Sequence, residues 1–350
     1  MKSAKQFLIK SIASILVILL ILSTIVIVVD PFMHYHAPLF GLAPVASYQR
    51  GAVPGAARQL DYDTALIGSS MSENFKASWF EDGYFGDKCV KLPLEGAHFA
   101  DYDLLFREAI KKESLKNIVF SLDNYLLTDA PSESEQTIPE YLSNRNPFDD
   151  VYYLLNRSVL LEYLPRFLAT NVKEHYNADN AYVWSNDYAF SYEIATGTYL
   201  PQRTPAPQPM LEYDAFFEST DLFLEQITPY IEAREDVTFY FYVPPYSFMF
   251  WDNSVRTGHL TAEICAMERA YSRLLTYDNV RLFYYQNDFE LITDLSHYRD
   301  YSHFDQSVNH MMYESMRNGT QELTLDNYYD ALLQMDEFAK TFDFDGALGF

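Results

Sequence analysis

Apolar and polar positions alternate along this chain in blocks of very different length. The first block, Ser11 to Val29, reads SIASILVILLILSTIVIVV and contains no charge in 19 residues. As a helix it spans about 28 Å, close to the thickness of a bilayer's hydrocarbon core. It is apolar on every face, as a membrane helix is and an amphipathic core helix is not. Lys2, Lys5 and Lys10 precede it and Asp30 follows it. This asymmetry predicts a single-pass anchor with a cytoplasmic N-terminus and everything after Asp30 outside the membrane. The run is long for a signal peptide, and the nearest small-x-small segment, APVAS at 43–47, lies too far downstream for cleavage.

Residues 31–60 carry Pro31, Pro38, Pro44 and Pro54 and read as a loop-like juxtamembrane arm. Beyond them, short apolar runs alternate with helical spacing. TALIG (64–68), CVKLPL (89–94), NIVFSL (117–122), DVTFYFYV (236–243) and NVRLFYY (279–285) predict five strands. Between them, 72–80 predicts a short helix with Ser72 as N-cap, and 100–113, 219–235 and 261–276 predict longer ones. Pro229 predicts a kink or break in the third of these. Strands separated by helices predict an α/β domain with a parallel sheet covered on both faces, over residues 61–323. The third and fourth strands lie too far apart for a single crossover. An insertion at about 130–215 is therefore expected as a lid or substrate-facing wall, with PQRTPAPQP (201–209) as an extended linker. Residues 324–350 predict one more acidic helix and a tail.

The 350-residue chain carries 49 acidic and 25 basic residues, a net charge of −24. Such a surface repels phosphate backbones, which argues against nucleic acid as a partner. The 29 Tyr and 26 Phe suit packing, and in the insertion the tyrosines and Trp184 also suit sugar-ring stacking, with ordinary packing the simpler account of most of them. Cys89 and Cys265 form no metal or disulfide pattern and read as small buried apolar residues. The HYH at 34–36 lacks acidic or Cys partners in sequence and reads as interfacial aromatics. No P-loop, GxGxxG, HExxH or EF-hand pattern occurs, so no metal or cofactor is expected.

Two stretches bear chemistry. Gly68-Ser69-Ser70 ends the first predicted strand and opens a helix, at the sheet edge where open α/β sheets place their sites. Helix-terminal N–H groups there suit a developing oxyanion. A capping turn explains the same residues equally simply. The second stretch, DYSHF, puts Asp300 three residues before His303 after the last strand. A serine nucleophile needs a base, and the base needs a carboxylate to fix its tautomer. Asp294 and His297 repeat the spacing as a rival pair, Asp305 could cap the following helix, and His310 reads as structural.

Together these stretches resemble the SGNH (GDSL-like) hydrolase superfamily, over about 62–128 and 236–316. Gly68-Ser69-Ser70 matches its first block, with Ser69 in place of the family's Asp. That Gly-Ser-Ser form looks like the membrane-anchored D-alanyl-lipoteichoic acid biosynthesis accessory family. Gly96 matches the second block and Asp300/His303 the last. Asp123-Asn124 stands at the third block, in altered order and without its glycine. The resemblance implies a flavodoxin-like three-layer α/β/α sandwich with a five-stranded parallel sheet. It implies Ser70 as nucleophile, His303 as base and Asp300 as orienter. The oxyanion donors would be the N–H groups of Ser70 and Gly96 together with Asn124. The implied activity is a serine esterase or O-acyltransferase on an acylated surface glycan or polymer, with a multi-pass membrane acyltransferase as partner. A non-catalytic accessory or binding protein on the same fold is the second reading.

Overall fold

The computed structural model describes residues 2–46, 48–129, 137–174 and 177–350. They fall into two compact units. One joins Met1–Leu60 to Thr137–Ala181, and the other joins Asp61–Gln136 to Tyr182–Phe350. The boundaries thus divide the expected 130–215 insertion between the units.

In the first unit, α1 (Lys2–Val29) contains 26 residues, Ala4–Val29, long and apolar enough to cross a membrane. The chain then turns at Asp30, whose carboxylate accepts the N–H groups of His34, Tyr35 and His36 and the hydroxyl of Tyr153. The HYH histidines find protein partners. His34 Nε2 lies 3.2 Å from Asp150 Oδ1, and the ring nitrogens of His36 face the carbonyls of Ala37 and Ile27. The arm expected to be loop-like contains a helix, α2 (Gln49–Gln59), with Pro54 inside it. Its glycines allow close approach rather than a turn. A Cβ on Gly55 would fall 1.9 Å from the Phe32 carbonyl oxygen, and one on Gly51 2.8 Å from the Phe32 ring.

The second unit is mixed α/β, built on a six-stranded sheet of order β2-β1-β3-β4-β5-β6. Its strands are β1 (Thr64–Gly68), β2 (Cys89–Pro93), β3 (Asn117–Ser121), β4 (Thr238–Val243), β5 (Val280–Tyr284) and β6 (Glu322–Leu323). The first five run parallel. The sixth, absent from the sequence expectation, is antiparallel to β5 and two residues long, too short to show a period. Helix α3 (Phe99–Ala109) follows β2, and α4 (Phe217–Ala233) precedes β4 and stays continuous through Pro229. Helices α5 (Phe248–Thr257) and α6 (Leu260–Leu274) separate β4 from β5, and α7 (Gln306–Asn318) and α8 (Tyr328–Thr341) follow. The sequence expectation lacked α5.

Side chains alternate across the central strands, and both faces are covered. Phe120 of β3 packs against Phe241 of β4 and against Tyr102 and Phe106 of α3, with Tyr230 of α4 stacked on Phe106. On the opposite face, Tyr240 and Tyr242 meet Phe85 and Phe75, and Tyr313 of α7 closes over Phe80 and Phe85. Each fully buried ring contributes on the order of 2–3 kcal/mol of apolar burial.

Several local expectations need correction. The segment expected as a helix over 72–80 is two short 3-10 turns, Ser70–Ser72 and Ala77–Phe80. The cap is Ser69, not Ser72: Ser69 Oγ accepts the Met71 N–H, while the Ser72 hydroxyl donates to the Ser69 carbonyl. The 201–209 segment is pinned rather than linker-like. Arg203 pairs with buried Asp252, and Gln208 donates its N–H to the Arg256 carbonyl. The cysteines are both free and only partly buried.

Candidate active site

Strand order reverses around β1, so β1 and β3 flank a switch point at the carboxyl edge of the sheet, where ligand crevices form in open α/β sheets. Gly68 ends β1 in close quarters. A Cβ there would lie 2.8 Å from Ser121 Cβ at the end of β3 and 3.1 Å from Ser72 Cβ. The turn that follows sets Ser70 at the start of a 3-10 turn.

The structure brings Ser70 to His303, 233 positions away in the chain. Ser70 Oγ is 2.9 Å from His303 Nε2. His303 Nδ1 lies 2.9 and 3.0 Å from the two carboxylate oxygens of Asp300. Asp300 Oδ1 also accepts the backbone N–H groups of Ser302 and His303. The D-x-x-H spacing thereby closes a tight turn whose carboxylate grips both the backbone and the ring. Burial pushes the Asp300 carboxyl up, but the hydrogen bonds and charge of His303 and these N–H groups hold it at about 2. The carboxylate is therefore ionised at neutral pH, as an acceptor for Nδ1–H must be. With Nδ1 protonated, Nε2 presents its lone pair to the Ser70 hydroxyl; this tautomer is assigned from the hydrogen-bond network.

The rival pair is arranged differently. His297 Nδ1 binds Asp305 Oδ2 at 2.9 Å, and Asp294 stands 4.0 Å from its other nitrogen. Asp305 also caps α7 by accepting the Ser307 N–H. His310 packs edge-on against Trp79.

A cavity of about 190 Å³ opens over the dyad. Ser70, Gly96, Asn124 and His303 line it, so the two further oxyanion candidates share one space with the nucleophile candidate. Gly96 takes φ +58°, a backbone conformation that glycine adopts without penalty. Among the described residues, the N–H groups of Ser70 and Gly96 make no hydrogen bond, which leaves both as donors for a ligand. Asn124 Oδ1 is buried and has no hydrogen-bond partner among the described residues.

Sequence reasoning missed several residues here. Asp123, given no role of its own beside Asn124 at the third block, lies in the cavity wall, buried, and accepts hydrogen bonds from Tyr246 and Ser121. Burial pushes its carboxyl up, and the hydroxyls of Tyr246, Ser69 and Ser121 oppose that only in part. Tyr246 and Phe250, which also line the cavity, follow the end of β4. Their place after a parallel strand's carboxyl end was a usable signal. Tyr301 and Ser302 come with the Asp300–His303 turn. Among the described residues, no group of three or more His, Cys, Asp or Glu side chains is arranged to hold a metal ion.

No protein-family model matches the chain, and no curated protein matches it.

Proposed function

We propose that this protein is a membrane-anchored serine esterase or O-acyltransferase of the SGNH type. The observation that carries the reading is the hydrogen-bonded row in which Ser70 Oγ lies 2.9 Å from His303 Nε2 and His303 Nδ1 lies 2.9 and 3.0 Å from the Asp300 carboxylate oxygens. The parallel strand order 2-1-3-4-5, with helices on both faces, supports the flavodoxin-like sandwich that the resemblance implies.

Ser70 Oγ attacks the ester carbonyl carbon while its proton passes to His303 Nε2. The N–H groups of Ser70 and Gly96, with Asn124, receive the oxyanion. The carbon–oxygen bond to the leaving alcohol then breaks, and His303 gives that oxygen its proton. Water or a second hydroxyl attacks the acyl-enzyme, again through His303. The acyl group leaves as acid or new ester, and Ser70 regains its proton. Asp300 stays ionised and orients the imidazole throughout. The net charge of −24 favours neutral or cationic substrates, and an acylated surface glycan or polymer, handed on by a membrane acyltransferase, fits the anchored position.

The test is fluorophosphonate labelling of the full chain in detergent. Wild type is expected to label and Ser70→Ala not to. His303→Ala should label at least about 100-fold more slowly, in line with the loss of a general base. Labelling that persists in Ser70→Ala would remove Ser70 as nucleophile. A folded wild-type chain that does not label would favour a non-catalytic accessory protein.

A further inference from the structure

The segment after Tyr182 reaches back to the nucleophile turn, and nothing in its sequence marks it for that. Trp184 Nε1 donates to the Ser70 carbonyl oxygen at 3.1 Å. The same indole meets the His303 imidazole edge to face, with ring centroids 5.5 Å apart at 84°. One side chain therefore touches both the nucleophile's backbone and the base's ring.

Its own placement is fixed from two sides. The buried Asn74 side chain accepts the N–H groups of both Trp184 and Ser185 through Oδ1, at 3.2 and 3.1 Å. The Asn74 carbonyl accepts from Gln306 in the first turn of α7, three residues beyond His303. On the outer side, the Arg299 guanidinium lies 3.7 Å from the Tyr188 ring centroid and 5.6 Å from that of Trp184, with Nε 3.6 Å from Asp300 Oδ2. The nucleophile turn, the 184–188 segment and the Asp300–His303 turn thus form one closed circuit of contacts.

We infer that Trp184 is a positioning residue for the Ser70–His303 pair. Ser70 sits on a 3-10 turn of only three residues, and His303 sits in a loop, so neither is fixed by a long element. A hydroxyl and an imidazole held by separate loops drift apart unless something spans them, and a misplacement of about 1 Å costs on the order of 100-fold in rate. The indole spans them. Its N–H holds the Ser70 carbonyl, and its ring limits rotation of the imidazole. The inference rests on the serine-nucleophile reading above and adds a component taken from outside the segments of family resemblance.

The experiment compares wild type, Trp184→Phe and Trp184→Ala as full chains in detergent. Phe keeps a ring against His303 and removes the N–H, whereas Ala removes both. Three quantities are read: the fluorophosphonate labelling rate, kcat and KM for p-nitrophenyl acetate, and Tm. Trp184→Phe is expected to label about 10-fold more slowly and Trp184→Ala about 100-fold more slowly. The loss should fall on kcat, with KM held within about twofold and the defect persisting well below Tm. The inference is overturned if Trp184→Phe labels within about twofold of wild type, or if cooling restores the rate, which would mark a purely structural role. Should Trp184→Ala not fold, Trp184→Phe alone decides. A wild-type chain that fails to label overturns the serine-nucleophile reading and this inference with it. Failure confined to the variants touches the inference alone.

Discussion

At the scale of single residues, this protein buries carboxyl groups in two different ways. Asp300 is surrounded by donors and stays ionised. Glu263, in α6, is fully buried and receives one short hydrogen bond from the Ser254 hydroxyl, 2.6 Å from Oε2. Burial pushes its carboxyl up to about 7, with the Ser254 bond only partly opposing. The nearest cationic candidate, His259 Nδ1, is 3.9 Å away, and burial lowers its affinity for a proton, so it offers little compensating charge. The folded state therefore binds a proton that the unfolded chain releases near 4.5. That stabilisation is full below about pH 4.5 and is lost as the pH rises through about 7, on the order of 3 kcal/mol in all. Glu263→Gln retains an acceptor for Ser254 and cannot ionise. Its Tm should match wild type near pH 5 and exceed it above pH 7; parallel Tm curves across that range would refute the assignment.

Among the elements, the sheet edge that carries Ser70 is governed by what can fit between β1 and β3. A methyl group on Gly68 would meet Ser121 Cβ at 2.8 Å, and Ser121 is held in a central strand, so the turn must move instead. Gly96 differs: the space around it is open, and only its positive φ resists a side chain. Gly68→Ala should thus cost about 1–3 kcal/mol of overpacking and slow Ser70 labelling sharply, while Gly96→Ala should cost about 1 kcal/mol. Thermal melts and labelling rates of the two variants check the order, and equal effects would contradict it.

The five parallel strands were legible in sequence because each is a short apolar run bounded by helical spacing. The Ser70 and Asp300–His303 stretches were legible because they follow strand ends. The two-residue β6 was not, since so short a strand has no period. Helix α2 was hidden by the prolines at 31, 38, 44 and 54, which read as loop signals although Pro54 lies inside the helix, while Gly51 and Gly55 allow its close packing on Phe32 and Met33. Trp184 was not legible either. Its role depends on a fold-back that no local pattern encodes, in a chain where aromatics are common everywhere.

For the whole molecule, α1 is long and apolar enough to cross a membrane, and under the proposed function the Ser70 site would then face one side of it. Of the 25 basic residues, Lys2, Lys5 and Lys10 cluster before the apolar run and Asp30 stands after it. The positive-inside rule predicts from this asymmetry that the α/β unit lies outside. Outside the cytoplasm, nucleotide cosubstrates are scarce, and an acyl group must arrive as an ester or similar covalent donor. The proposed serine nucleophile, which would store the acyl group on the enzyme without a cofactor, would meet that constraint. The orientation is testable on the full chain with Cys89 and Cys265 replaced by serine. A cysteine at exposed Met210, or alternatively at Lys5, serves as the reporter. In intact cells, a membrane-impermeant maleimide should modify Met210→Cys and leave Lys5→Cys unmodified until the cells are opened. The reverse pattern would put Ser70 in the cytoplasm and exclude surface polymers as its substrates.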